Sequence, residues 1–272
     1  SFHFSPFTSI TKYGVDFDLG LELHYLSDGT PFEVFPQIKA TKELVKDVLL
    51  VYGGLRHSEH RHTFKSLSDE NPYIHSFGTN QSILDGNSFL QQLKTTDTDE
   101  LYITMRNVLG IDEVFEGSVA YGMAQNFAHF VGVTNGIYNR FQVDYLDVTQ
   151  LHANANYDRE INNIISLNVN ADFYKWDKEV YHKPNFSCAV SAPVNLRNKI
   201  KVSPSITYNG IRISQNGKLP SLFHANLGLY YAYSKQLLAY LQLNNLTNSK
   251  QDIWSDYREV GFNSVFGLNY SF

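Results

Sequence analysis

The sequence predicts an all-β fold, an antiparallel transmembrane β-barrel of the bacterial outer membrane, with about 12–14 strands if complete. Three observations lead there. Long runs alternate apolar with polar residues at period two, as strands with one apolar and one wet face do. Aromatics make up 14% of the 272 residues, with 19 Phe and 18 Tyr, and no run approaches the ~18 consecutive apolar residues of a spanning helix, so a membrane would be crossed by strands. Connections alternate tight and long, the rhythm of short periplasmic turns and longer extracellular loops.

Residues 1–12 read as a partial strand or docked tail, because Pro6 interrupts the series Phe2, Phe4, Phe7. The barrel is expected to occupy 13–272. From Tyr13 to Tyr25 the apolar Val15, Phe17, Leu19, Leu21 and Leu23 alternate with Asp16, Asp18, Gly20, Glu22 and His24. Ser27-Asp28-Gly29 then turns the chain into a strand around Phe32, Val34 and Ile38, and Lys46-Asp47 turns it again. A polar stretch at about 61–98 is too long for a compact connection and reads as an external loop. Later hairpins turn near Gly110, Asp158-Arg159, Arg197-Asn198 and Ser234-Lys235. Counted from Tyr13 there are about twelve strands of roughly 10–16 residues, the length a tilted spanning strand needs. The first and last of them would pair antiparallel. Taking residues 1–10 as a further spanning strand would make the count odd and the closing pair parallel, which single-chain barrels avoid.

Net charge is −5 with the signs interspersed, so there is no basic stripe for nucleic acid. Cys188 is the single cysteine and reads as a small packed hydrophobe. The chain opens at Ser1 without a charged and apolar leader, so an export signal is expected to have been removed or to lie outside it.

In the last stretch Phe262, Phe266, Leu268, Tyr270 and Phe272 share one strand face, and Asn263, Gly267, Asn269 and Ser271 the other. This resembles the closing strand of outer-membrane barrels, whose terminal aromatic is an assembly signal. The resemblance implies that role for Phe266, Leu268, Tyr270 and Phe272, and the barrel-assembly machinery as partner. Together with Leu241-Gln-Leu-Asn-Asn-Leu-Thr-Asn248, Asp252-Ile-Trp254 and Gly261-Phe262-Asn263, it is similar to the carboxy-terminal barrel region of TonB-dependent receptors. Residues 13–21, 32–40 and 66–72 are similar to a plug-poor subgroup. Receptors of that family carry a plug and about 22 strands. The expectation is therefore either part of a larger receptor-like barrel or a smaller barrel without its own plug.

Asp16, Asp18, Glu22, His24, Arg106, Asp144, Asn168, Asp172 and Lys201 are the candidate lumen-facing residues, and a lumen so lined could bias a pore toward cations. His57, His60 and His62 form the candidate metal cluster. His60 and His62 share a strand face with imidazoles for Zn²⁺ or Cu²⁺, but His57 and Glu59 fall on the opposite face, and a solvated loop base is the simpler reading. Asp97 and Asp99 lack the Gly and spacing of a defined Ca²⁺ loop. Trp176, Tyr181, Trp254 and Tyr257 lie at predicted external strand ends, as an aromatic girdle would. No local motif supports a nucleophile, so no enzyme is expected, and no cofactor. Expected partners are outer-membrane lipid, and either another outer-membrane protein or lipoprotein, or a plug missing from the chain. The function expected is passage or uptake of a nutrient or small molecule across the outer membrane of a Gram-negative bacterium. The other reading is a structural or accessory barrel without transport of its own.

Overall fold

A computed structural model describes residues 2–25, 33–75, 93–133, 140–197 and 199–271, with the backbone alone at 2, 3, 24, 25 and 33. The turn expected at Ser27-Asp28-Gly29, much of the loop expected at about 61–98, and Phe272 lie outside them. In chain order the elements are β1 (Phe2–Phe4), β2 (Phe7–Lys12), β3 (Val15–Tyr25), β4 (Glu33–Val45), β5 (Leu49–Arg61), α1 (Phe64–Glu70), β6 (Thr95–Gly110), β7 (Glu113–Gly132), β8 (Phe141–Glu160) and β9 (Ser166–Trp176). There follow β10 (Phe186–Ser191), β11 (Val194–Leu196), β12 (Ile200–Asn209), β13 (Arg212–Ser214), β14 (Gly217–Leu219), β15 (Leu222–Ala232), β16 (Leu237–Asn244), β17 (Asp252–Trp254), β18 (Tyr257–Arg258) and β19 (Asn263–Tyr270).

Fifteen strands form one sheet in the order β1-β3-β4-β5-β6-β7-β8-β9-β10-β12-β15-β16-β19, with β2 also on β3 and β11 also on β12. Neighbours follow the chain order, and every ladder with a described register is antiparallel, so each connection is a hairpin or a loop back to the adjacent strand. The sheet is open: among the described residues no ladder joins its two ends. The chain divides into two compact units, one of Ser1–Met105, Ser118–His152 and Lys175–Tyr181, the other of Arg106–Gly117, Ala153–Tyr174 and His182–Phe272.

The opening residues, expected to be a partial strand or docked tail, pair with β3. β1 and β2 are successive stretches of one run beside β3, from Phe2 opposite Tyr25 to Lys12 opposite Val15, broken only around Pro6. Tyr13 is not a strand residue. It and Gly14 have φ of 55° and 70°, the positive pair that a tight primed hairpin turn requires. With β2 on one edge and β4 on the other, β3 has no edge left for the last strand, which excludes the closing pair expected from the sequence. Two more boundaries move. β8 continues through Asp158-Arg159 to Glu160, and the turn falls at 161–165 instead. The expected external loop also contains α1, which Thr63 caps by accepting from the Ser66 N–H while the Ser66 hydroxyl accepts from the Thr63 N–H. Leu67, buried to 1% exposure, anchors this short helix.

Side chains along the strands invert the burial order of a soluble protein. On β6, Glu100 and Thr104 are buried at 8% and 4% exposure, while Leu101 and Ile103 between and beside them stand 59% and 57% exposed. On β7, Ala120 and Ala124 are buried and Val119, Tyr121 and Met123 exposed. In the second unit Phe266, Leu268 and Tyr270 are exposed on one face of β19. Along these stretches the covered side chains are polar or small and the bare ones apolar, as hydrocarbon demands, whereas the end of β7 and the start of β8 bury the apolar Phe130, Val131, Phe141, Val143 and Val148. Close packing on β19 depends on Gly267: a Cβ there would lie 2.3 Å from the ring of Tyr240, its cross-strand partner, so glycine lets that ring lie across the strand.

The Asn-Leu-Thr-Asn stretch after β16 has a local cause. Asn245 and Asn248 both adopt positive φ, 50° and 51°, which asparagine tolerates better than most residues. The buried Asn245 amide donates to Ser249 O and Val260 O and accepts from the Ser249 N–H, while Asn248 Oδ1 accepts from the Phe262 N–H. Two asparagines thus close the connection between β16 and β19.

Leu227 sits between Pro204 and Leu243 on the apolar face, whereas Asn168 bonds Asp158 on the polar one. Leu227→Arg is expected to lower the yield of inserted, heat-modifiable protein through a loss of about 2–4 kcal/mol at mid-membrane. Asn168→Lys should insert like the parent. Equal behaviour of the two on a gel would contradict the assignment of faces.

Candidate functional site

The polar face of the sheet is where period two gathers the groups able to handle a polar solute. In the first unit, Asp16 and Asp18 accept from the hydroxyls of Thr11 and Ser9 at 2.6 Å, and Glu22 accepts from the Gln37 amide. These are cross-strand neighbours of β3, so the alternation that selected the three acids also supplies their partners. Further along, Arg56 donates to the buried Glu100 at 2.5 Å and lies 4.5 Å over the ring of Tyr102. Tyr102 meets Tyr52 edge-on, and Lys39 covers Tyr52 at 4.9 Å. Asp144 lies 3.5 Å from His129. The side chain of His24 falls outside the described residues.

In the second unit the polar face carries a ladder of amides and carboxylates. Asn154 donates to Asp172 at 2.8 Å and Asn156 to Asn154, Asn170 donates to Asn156 at 2.6 Å, and Asn168 donates to Asp158 at 2.7 Å. Asn168 and Asp172, two of the candidate lumen-facing residues, both belong to this ladder, bonded to Asp158 and Asn154. Asn154, Asn156, Asp158 and Asn170 were missed as site residues, though their spacing at every second position marks them. Lys201 stands opposite Asn195 and Tyr230, and Arg106 is exposed on β6.

The three histidines at the end of β5 do not converge. His60 and His62 meet edge-on at 4.7 Å, and His62 Nε2 lies 2.8 Å from Thr96 Oγ1. His57 turns elsewhere. Its ring stacks on Phe35 with centroids 3.4 Å apart, and its Nδ1 lies 2.8 Å from Asp99. The four aromatics expected to form a girdle have their ring contacts with protein, or stand in short hairpins. Trp176 packs on Phe127 beside Ala124 and Val148, Tyr181 stacks on His129, Trp254 lies against His182, and Tyr257 pairs with Trp254.

Between the strands of the second unit, the β13–β14 and β17–β18 hairpins are joined by Arg212. Its buried guanidinium donates to the carbonyls of Pro220, Asp252 and Ile253. Burial holds its pKa below the usual guanidinium value, with Glu259 and Asp252 acting against that shift. Glu259 accepts from His224 and from the Gln251 N–H. Burial raises its pKa, but the bonds from Ser249, His224 and Gln251 outweigh burial and leave it below the usual carboxylate value.

No protein-family profile and no curated protein matches the chain. Solved structures do. The ferric enterobactin receptor PfeA of Pseudomonas aeruginosa superposes with a TM-score of 0.65 at 13% identity, over 99% of this chain and 45% of that one. The pyoverdine outer-membrane receptor FpvA of the same organism gives 0.63 at 12% identity, over 98% and 41%. The siderophore receptor PirA of Acinetobacter baumannii gives 0.64 at 14%, over 96% and 44%. The fold is therefore the β-barrel fold of outer-membrane siderophore receptors. The chain spans less than half the length of the receptors it matches.

A depressed Glu259 pKa contributes stability above the ordinary carboxylate range, and that contribution is lost as pH falls through the folded-state value. Acidification should therefore lower amide protection, measured against the intrinsic exchange rate at each pH, across residues 245–262 before it affects the ladder of β12 and β15, and Glu259→Gln should remove most of that loss. Uniform exchange along the chain at low pH would contradict the local role.

Proposed function

We propose that the chain builds the wall of a receptor-like β-barrel in the outer membrane of a Gram-negative bacterium, through which a small molecule or nutrient passes or is taken up. The observation that carries this reading is the inverted alternation, with Glu100 and Thr104 covered and Leu101 and Ile103 bare. It leaves an apolar face for lipid and a polar face for a solute path. The likeness to siderophore receptors supports it. In this reading Asp16, Asp18, Glu22, His24, Arg106, Asp144, Asn168, Asp172 and Lys201 line the path, and small iron chelates are the first solutes to test. The exposed stripe of Phe266, Leu268 and Tyr270 meets lipid and is presented, with Phe272, to the barrel-assembly machinery. A plug is supplied from outside the residues of this chain, and the wall performs no chemistry of its own.

One observation favours a second reading, that of an accessory barrel that transports nothing. The amides of Asn154, Asn156, Asn168 and Asn170 bond to one another or to nearby carboxylates, which is how a packed lumen satisfies itself. Conductance of the folded chain in a planar bilayer separates the two. Stable ohmic openings are expected. Silence from protein shown to be folded and inserted would overturn the transport reading in favour of the accessory one.

A further inference from the structure

We infer that His57, Glu59 and Asp97 form a binding site for a divalent first-row transition-metal ion where β5 meets β6. This goes beyond the proposed passage of a solute and does not depend on it. One ligand atom from each residue lies within 4.8 Å of the other two. Metal–ligand distances of about 2.0–2.2 Å place bound donors roughly 3–4 Å apart, so the set has to close by only about 1 Å. His57 and Glu59 are two apart on one strand, while Asp97 comes from the neighbouring strand, so strand adjacency brings the set together.

The imidazole is oriented as a metal ligand requires. Its Nδ1 lies 2.8 Å from Asp99 Oδ1, and its Nε2 faces Glu59 Oε1 at 3.9 Å. A carboxylate that accepts a hydrogen bond from Nδ1–H fixes the tautomer whose Nε2 lone pair faces the ion, the arrangement that supports ligating histidines generally. Phe35, stacked on the ring at an interplanar angle of 5°, holds its plane, and the side chain is only 2% exposed. A buried ring held on one face by Phe35 and at Nδ1 by Asp99 loses little further freedom on binding an ion.

One imidazole with two carboxylates selects the class of ion. Ca²⁺ prefers a shell made wholly of oxygen, and Cu⁺ prefers sulfur donors. The mixed N,O set suits Zn²⁺ and its first-row neighbours, with the remaining positions open to water. Bound there, the ion cross-links two strands at the root of the connection that contains α1.

The test is titration of the folded chain in detergent with Zn²⁺ alone, read by calorimetry, and with Co²⁺, read by its visible absorption. About one equivalent should bind. Glu59→Gln and Asp97→Asn preserve shape and should each weaken binding at least tenfold. Asp99→Asn, which disturbs only the orienting bond, should weaken it by roughly 10–100-fold. His60→Ala and His62→Ala should leave it unchanged. Heat-modifiable migration confirms that each variant is folded. Absence of binding at micromolar metal, equal binding by the Glu59 and Asp97 variants, or loss of binding in the His60 and His62 variants would each overturn the assignment.

Discussion

A backbone that crosses hydrocarbon must find every hydrogen-bond partner within the protein, since no water is there to replace one. This constraint shapes the rest of the structure. Among the described residues it makes the fifteen-stranded sheet the main long-range order, keeps neighbouring strands next to one another in chain order, and leaves side chains to divide by parity. Once backbone pairing is complete, the choice at each position is between lipid and the polar face. Leu19 opposite Ile38 and Asp18 opposite Lys39 show that choice being made on consecutive rungs of one ladder. A single-residue slip would reverse every such choice at once, so the register is fixed by the whole length of the strand rather than by any one contact.

The wall was legible in the sequence because parity is a local signal repeated many times. The Asp16–Asp18–Glu22 series bonds hydroxyls and an amide on neighbouring strands, while Phe266, Leu268 and Tyr270 stand exposed. Interruptions were harder. Pro6 reads as an interruption that leaves only a partial strand or docked tail, and the structure shows how small the break is: Leu21 donates its N–H to Pro6 O and the pairing with β3 continues on both sides. A proline lacks one donor, and at the break in a strand that omission is tolerated. The turn at Tyr13-Gly14 was hidden because a tyrosine in the left-handed region carries no mark in the apolar pattern. Asp158-Arg159 misled in the opposite direction, since a charged pair reads as a turn although Asp158 continues the amide ladder.

The site was less legible than the wall, because its contacts join residues far apart in sequence. His57, His60 and His62 are neighbours by number, and that closeness pointed to a shared ion. In the structure His57 meets Asp99 of β6, His62 meets Thr96 of β6 and Tyr145 of β8, and His60 meets His62. Which of several histidines on one strand end faces which acid depends on how the adjacent strand is aligned, and no pattern within β5 carries that information. Trp176 and Trp254 pose the same problem: an aromatic at a strand end can meet lipid or pack under a loop, and only the partners Phe127 and His182 decide.

The connections follow a different logic from the wall, one of few and specific polar bonds. Arg212 reaches three carbonyls in the two short hairpins, and Asn245 joins Ser249 to Val260. Removing a single partner there leaves buried donors or acceptors unsatisfied at about 1–3 kcal/mol each, whereas a conservative change on the lipid face disturbs little. The wall imposes no comparable demand on the sequence of these connections beyond the spacing of the strand ends. Loop chemistry can therefore change while the parity of the strands stays fixed. That division is consistent with a chain that shares its fold with receptors at 11–14% identity.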